Sequence, residues 1–123
     1  ACTHPLHMVG SDGLPRPGTK PHPRAFGTFP RVAGHLRRDE HWFSLEDAVR
    51  RMTSVAARRF GLKDRGVIAT GMVADLVLFD LDTPWRISET GLRSKSKNTP
   101  FDGRPVQGRV LRTIVGGETV FTL

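Results

Sequence analysis

The sequence has one cysteine, no tyrosine and no long apolar run, and each shortage excludes a class of protein. A single cysteine, Cys2, forms neither an intramolecular disulfide nor a Cys-x-x-Cys zinc site, so a reducing cytoplasm is the expected location. Apolar runs such as 76–79 are too short to cross a bilayer, and no charged and then apolar leader opens the sequence. We therefore expect no membrane association.

The charge balance is basic, but the sequence lacks the usual features of a nucleic-acid-binding protein. Nineteen Lys and Arg against twelve Asp and Glu give a formal net charge of +7, which attracts polyanions without identifying a partner. Neither a recognition helix, nor a finger spacing, nor a row of stacking aromatics is found. No nucleic-acid partner is expected. A length of 123 residues with 37% hydrophobic content suits one modest domain.

Three elements are predicted at the start of the chain. The apolar run 6–11 predicts a short strand that ends in a turn at Asp12 and Gly13. The stretch 14–30 is predicted to be a loop, because its prolines cannot donate ladder hydrogen bonds and interrupt a regular helix. The prolines are Pro15, Pro17, Pro21, Pro23 and Pro30. A loop this long inside a compact domain is functional or disordered. A helix over 29–38 is predicted to follow it.

A helix over 44–60 has the strongest signal in the chain. Ser44 is placed as its N-cap, with Asp47 three residues later, and cations precede Gly61 at its end. Apolar side chains recur at helical spacing along it, and these are Leu45, Val49, Met52, Ala56 and Phe60.

The second half of the chain has the period of β-structure. Strands are predicted over 67–68 and 74–79, and the second is apolar enough to be covered on both faces or packed at a domain seam. A polar, basic connector is predicted over 85–99. A hairpin is predicted from 110–115 and 119–122, around Gly116 and Gly117. These strands are too few to close a barrel or a sandwich, so we expect further chain to cover their edges.

Asp12, at the end of the first predicted strand, is suited to three roles. It is a candidate general base, a candidate metal ligand, or the turn former of an Asp-Gly pair. Other residues of the first third can also bind metal or move protons, namely Cys2, His4, His7, His22 and His35. Their spacing matches no self-contained zinc site.

Taken as a set, the motifs resemble those of the N-acyl-D-amino-acid deacylases (D-aminoacylases) of the amidohydrolase superfamily. The resemblance covers about two-thirds of the chain, over the segments 10–13, 22–32, 44–54, 56–62, 65–68 and 74–80. The tail, over 95–103, 108–110 and 114–117, looks more like the end of dihydroorotases and allantoinases. Both relatives belong to one superfamily.

The resemblance implies an α/β fold, in which a metal-dependent (β/α)8 barrel is flanked by a small β-domain. Residues 1–62 would supply the last barrel strand, the active-site loop and the helices, and 63–123 the C-terminal strands of the β-domain. If the chain folds alone, an α+β arrangement is expected instead.

The resemblance also implies roles for particular residues. Asp12 would touch the metal centre, take a proton from the metal-bound water and give it to the leaving nitrogen, with zinc as the expected metal. Arg24 would hold the substrate carboxylate through its planar fork. Ser11, Gly13 and His22 are the further candidate substrate-binding residues.

The sequence departs from the family pattern in its metal ligands and in the residue that follows Asp12. It has no His-x-His pair, and Cys2 does not correspond to the metal-binding cysteine of the deacylases. Where dihydroorotases typically have a histidine after their aspartate, this chain has Gly13, which favours a deacylase.

We therefore expect the C-terminal portion of an amidohydrolase that acts on small N-acyl amino acids, with the remainder of the amidohydrolase chain as its partner. The 123 residues alone are expected to be inactive. The alternatives are a cyclic-amide hydrolase of the dihydroorotase or allantoinase type and a non-catalytic stand-alone binding or structural domain. A homo-oligomer is a further expectation.

Overall fold

The helices of the protein precede its sheet, as seen in a computed structural model that describes residues 2–14, 18–19, 22–95 and 97–123. Helix α1 continues directly into a π-helical turn, and a short 3-10 turn connects the first two strands. The elements are α1 (Arg24–Arg31), the π turn (Val32–Leu36), α2 (Leu45–Met52), α3 (Ser54–Arg59), β1 (Leu76–Arg86), the 3-10 turn (Glu89–Gly91), β2 (Pro105–Val115) and β3 (Glu118–Thr122).

The strand predicted over 6–11 is not formed, so that prediction is wrong for this structure. Residues 7–14 follow an irregular path. A strand needs a neighbour to pair with, and the described part of the chain places none beside this segment. Instead, the Val9 N–H donates to the carbonyl of Arg51 at 3.3 Å.

Helix α1 begins at Arg24, so the predicted loop over 14–30 ends earlier than expected. Pro23 occupies the N-cap position with φ −49°, where the fixed angle of proline favours the start of a helix. Pro30 lies inside the helix and has no N–H to donate, so the regular ladder is interrupted and the π turn follows. The helix predicted over 29–38 is thus confirmed and begins earlier. Pro15, Pro17 and Pro21 lie outside the described residues.

The predicted N-cap of the 44–60 helix is confirmed, but the helix is broken into two. The Ser44 Oγ accepts the N–H of Asp47 at 3.1 Å. The break falls at Thr53, with φ −129° and ψ −88°. Its Oγ1 donates to the Val49 carbonyl at 2.8 Å, a local bond by which threonine competes with the helical ladder.

The break also changes which face of the helix pair is buried. Ala48, Arg51 and Ala57 are the buried residues of α2 and α3. Val49 is 37% exposed and Phe60 is 70% exposed, so the predicted apolar stripe is only partly correct. A single helical period cannot predict the face of an element that changes direction halfway.

The three strands form one antiparallel sheet in the order β1-β2-β3. The predicted hairpin is confirmed, because Val115 pairs with Glu118 and both glycines between them have positive φ, 57° and 87°. The strand predicted over 67–68 is not formed. Strand β1 is longer than predicted and includes Trp85, which the sequence pattern assigns to the connector.

The core lies among the helices and leaves much of the sheet uncovered. Val32, Phe43 and Ala48 form the buried cluster, and partly buried side chains pack against it, namely Cys2, Val9, Leu36 and Met52. The apolar residues Val77, Leu78 and Phe79 of β1 are 41–55% exposed, so the described residues do not cover both faces of the strand, and its packing at a domain seam stays a prediction. Among the described residues, no helix is long and apolar enough to span a membrane.

Candidate active site

The structure brings together the two residues predicted to have the central roles, Asp12 and Arg24. Asp12 ends the irregular N-terminal segment, and Arg24 is the first residue of α1. The Arg24 Nη2 lies 3.2 Å from Asp12 Oδ2, and the two side chains are 43% and 78% exposed. A carboxylate and a guanidinium therefore face solvent side by side.

Gly13 permits the close approach between the N-terminal segment and α1. A Cβ at this position would lie 3.2 Å from the Ala25 Cα and 3.4 Å from the Ala25 Cβ. Asp12 itself has φ +49°, a left-handed conformation that aspartate tolerates better than most residues. The Ser11 Oγ accepts the N–H of Gly13 at 3.3 Å and closes the local turn. These short residues let the Asp12 side chain reach Arg24.

On the Arg24 side of the pair, His22 forms hydrogen bonds to the first residues of α1. Its Nδ1 accepts the N–H of Arg24 at 3.2 Å, and its carbonyl accepts the N–H of Ala25 at 2.9 Å. Both bonds satisfy N–H groups that a helix start leaves unpaired. Ser11, Gly13 and His22 thus surround the Asp12–Arg24 pair, and their direct binding of substrate stays a prediction.

The ion pair is weak enough to be exchanged. An exposed salt bridge contributes only about 0–1 kcal/mol, because water screens both charges. A carboxylate on a bound molecule can therefore replace Asp12 on Arg24 at small cost. The planar guanidinium offers two parallel N–H donors for such a carboxylate.

The residues present do not by themselves fit a metal ion. In the described part of the chain, no three His, Cys, Asp or Glu side chains come together as a ligand set. The side-chain partner of Asp12 is Arg24, the His4 Nδ1 accepts the N–H of Leu6, and the His35 Nδ1 contacts Asp39. Zinc needs three or four such ligands, so a metal at Asp12 requires ligands from other chain.

A cavity of about 210 Å³ lies between the N-terminal segment and the helices. The His7 Nδ1 is buried with no hydrogen-bond partner in the described part of the chain. The lining is mostly apolar, with residues from the segment, from α1 and from the core, namely Cys2, His7, Val9, Gly10, Thr28, Arg31, Val32, Leu36 and Phe43.

Arg51 is a residue of this region that the sequence analysis missed. Its side chain is 4% exposed, and it donates to four backbone carbonyls of the N-terminal segment, those of Cys2, Thr3, His4 and His7. Its Nε donates to Asp47 Oδ2 at 2.6 Å. This bond, together with those from Arg50, lowers the pKa of Asp47. The spacing of four residues between Asp47 and Arg51 was the available signal, but it is typical of surface pairs.

Comparisons with known proteins agree with the motifs. The sequence model of the Amidohydrolase family matches residues 2–121. A D-aminoacylase of Alcaligenes xylosoxydans xylosoxydans is 58% identical over 73 residues, which are 59% of this chain and 15% of that protein. A dihydroorotase of Anaplasma phagocytophilum is 53% identical over 78 residues, which are 63% of this chain and 17% of that protein. Both resemblances inferred from the motifs are confirmed.

A solved structure shows the same similarity in three dimensions. The N-acyl-D-glutamate deacylase of Bordetella bronchiseptica, complexed with zinc and a phosphonate inhibitor that mimics the tetrahedral intermediate, superposes with a TM-score of 0.74 at 40% identity. The match covers 98% of this chain and 23% of the deacylase. The chain thus spans less than a quarter of this relative, and about a sixth of the two relatives compared by sequence.

Proposed function

Because this chain belongs to the amidohydrolase family, we propose that it is the C-terminal part of an enzyme that hydrolyses the amide bond of an N-acyl D-amino acid. The single observation that carries the proposal is the Asp12–Arg24 pair, with 3.2 Å between Nη2 and Oδ2. It sets a proton-accepting carboxylate beside a group that binds carboxylates, and an N-acyl amino acid has a carboxylate next to its amide.

The geometry supports a sequence of steps for these two residues. The substrate carboxylate takes the N–H donors of Arg24 and displaces Asp12 Oδ2 from them. Asp12 is then free beside the amide and accepts a proton as a water oxygen attacks the amide carbon. The same proton is returned to the nitrogen as the C–N bond breaks, which yields a carboxylic acid and an amine, and the acid then passes its proton to the amine to give a carboxylate and an ammonium group.

The described residues do not form a metal site, so the steps at Asp12 and Arg24 involve only side chains of this chain, the substrate and water. The Bordetella bronchiseptica relative contains zinc, and we propose that the complete enzyme holds a divalent metal, with Asp12 as one ligand and the others on the remainder of the amidohydrolase chain. The predicted division at residues 62 and 63, between barrel and β-domain, is part of the same proposal, as is a cytoplasmic location.

A cyclic-amide hydrolase of the dihydroorotase type is the second candidate. The similarity to the Anaplasma phagocytophilum dihydroorotase supports it. Gly13 argues against it, because a larger residue after Asp12 would meet Ala25 at 3.2 Å in this structure. Assays with both N-acyl D-amino acids and dihydroorotate separate the two.

The proposal is tested with a chimera. Residues 2–121 replace the matching C-terminal segment of the Alcaligenes D-aminoacylase, which then supplies the rest of the chain. We expect the chimera to hydrolyse N-acetyl-D-amino acids with zinc. Asp12→Asn keeps the shape but accepts no proton, so we expect kcat to fall at least about 100-fold. Asp102→Asn, in the turn before β2, is the control and leaves kcat unchanged.

Three results would count against the proposal. Near-normal kcat in Asp12→Asn would mean that Asp12 only forms the turn with Gly13 and accepts no proton. A folded but inactive parent chimera would favour the non-catalytic domain. Turnover by the 123-residue chain alone with zinc would show that no other chain is needed, whereas we expect none above background.

A further inference from the structure

A fully enclosed cation is costly unless its surroundings compensate it. The Arg51 side chain is 4% exposed, and moving such a group out of water is strongly unfavourable when it lacks partners. Here its donors are satisfied by the Asp47 carboxylate and by carbonyls of the segment 2–7, and two of these contacts are 2.6 Å long, from Nε to Asp47 Oδ2 and from Nη1 to the His4 carbonyl. Its guanidinium also lies 4.9 Å from the centre of the Phe43 ring.

The carbonyls that receive Arg51 belong to the segment that leads to Asp12. Because this segment has no regular secondary structure, its path depends on such contacts. The main chain adds one more, from the Val9 N–H to the Arg51 carbonyl. Arg51 therefore holds the segment through its side chain at 2–7 and through its backbone at Val9.

We infer that Arg51 is a positioning residue for Asp12, an inference that rests on the proposed function of Asp12. Three peptide units separate Val9 from Asp12, a reach of at most about 10–11 Å. With Val9 fixed, the Asp12 carboxylate is confined to the space in front of α1, where it meets Arg24. Arg51 acts through the backbone and touches neither Asp12 nor substrate.

Lysine cannot replace arginine in this role. It keeps the charge but presents three donors from one nitrogen, whereas the guanidinium presents five in a planar fork. One ammonium group cannot reach the Asp47 carboxylate and four carbonyls together. Arg51→Lys is therefore the informative variant, and Arg50→Lys is its matched control, because Arg50 also pairs with Asp47 but makes no hydrogen bond to the segment among the described residues.

The first test uses hydrogen exchange measured by mass spectrometry on the 123-residue chain. We expect Arg51→Lys to speed exchange in the peptide 2–14 by about 10-fold or more, the effect of losing several buried hydrogen bonds. Exchange in the hairpin 105–122 should not change, and Arg50→Lys should match the parent in both regions. Unchanged exchange in 2–14 would overturn the inference.

A general loss of structure would show as fast exchange in the hairpin as well. In that case Asp47→Asn gives a milder change, since Ser44 still caps α2 through the backbone N–H of residue 47. We expect it to speed exchange in 2–14 only. If it speeds exchange equally everywhere, Arg51 is a stability residue and the inference is wrong.

The second test asks whether the losses of kcat caused by Arg51→Lys and by Asp12→Asn are additive in the chimera. Arg51→Lys should lower kcat about 10-fold in the parent but add no further loss to Asp12→Asn, because both changes act on the same carboxylate. Additive losses would overturn the inference. An inactive parent chimera would contradict the proposed function, and the exchange data would still decide whether Arg51 holds the segment.

Discussion

At the scale of single residues, the candidate site is a carboxylate and a guanidinium held by small neighbours. Gly13 and Ser11 bring Asp12 towards α1, and His22 secures the helix start that presents Arg24. Because both charged side chains are exposed, their attraction is weak and both are open to solvent. These local contacts place the two charged side chains next to each other.

Arg24→Lys tests the proposed binding of the substrate carboxylate. Lysine keeps the charge but loses the planar fork, so we expect KM for N-acetyl-D-amino acids to rise about 10-fold in the chimera with little change in kcat. A neutral N-acyl amide should be affected much less. Arg59→Lys, at the end of α3, is the control. Equal effects on charged and neutral substrates would show that Arg24 does not bind the carboxylate.

Asp39 makes the stability of the chain depend on pH. Its hydrogen bond from Arg38, followed by that from His35, lowers its pKa from 3.8 to about 2. A carboxylate with a lowered folded-state pKa stabilises the fold above pH 4, and this contribution is lost as the pH falls towards 2. We expect the thermal midpoint of Asp39→Asn to fall less steeply than that of the parent between pH 4 and 2. Parallel curves for the parent and Asp39→Asn would contradict this assignment.

At the scale of elements, the helices depend on local signals at their ends. Ser44 begins α2, and Thr53 separates it from α3. The sheet depends on its hairpin, where two glycines adopt the positive φ that the turn requires. The N-terminal segment has neither kind of signal and takes its path from Arg51.

Ser44→Ala removes the cap of α2 and should lower the free energy of unfolding by about 1 kcal/mol. Chemical denaturation followed by helix content measures this change in the free energy of unfolding. Ser54→Ala, inside α3, is the control, because the Ser54 hydroxyl makes no hydrogen bond among the described residues. A Ser44→Ala loss no larger than that of Ser54→Ala would mean that the cap adds nothing.

At the scale of the whole molecule, the core is small and much of the sheet is exposed. The described side chains include none that is large and completely enclosed, while apolar residues of all three strands are exposed, such as Leu78, Leu111 and Val120. The chain covers about a quarter or less of these relatives, and our proposal places the remainder of the amidohydrolase chain over these residues. Exposed apolar surface of this kind promotes association.

We therefore expect the 123-residue chain to self-associate, with an average mass that rises with concentration in sedimentation equilibrium. Leu78→Ser, on the sheet, should weaken the association. Thr70→Ser, which changes an exposed polar residue outside the sheet, should leave it unchanged. A monomer at all concentrations with a cooperative, high-temperature transition would show that these residues complete their own core.

The sequence by itself determined the features that depend on neighbours along the chain. These are the Ser44 cap, the helical residues of 29–38, the hairpin at Gly116 and Gly117, and the family motifs around Asp12 and Arg24. Caps, turns and periodicity operate over a few residues, so they can be read without the fold.

Only the tertiary structure decided which residues meet across the chain. It left 6–11 without a strand, because a strand depends on a partner, and it enclosed Arg51, whose carbonyl partners lie 44 to 49 residues away. It also set Asp12 against Arg24 through the approach of Gly13 to Ala25. Such contacts depend on packing between distant segments, which local sequence patterns do not encode.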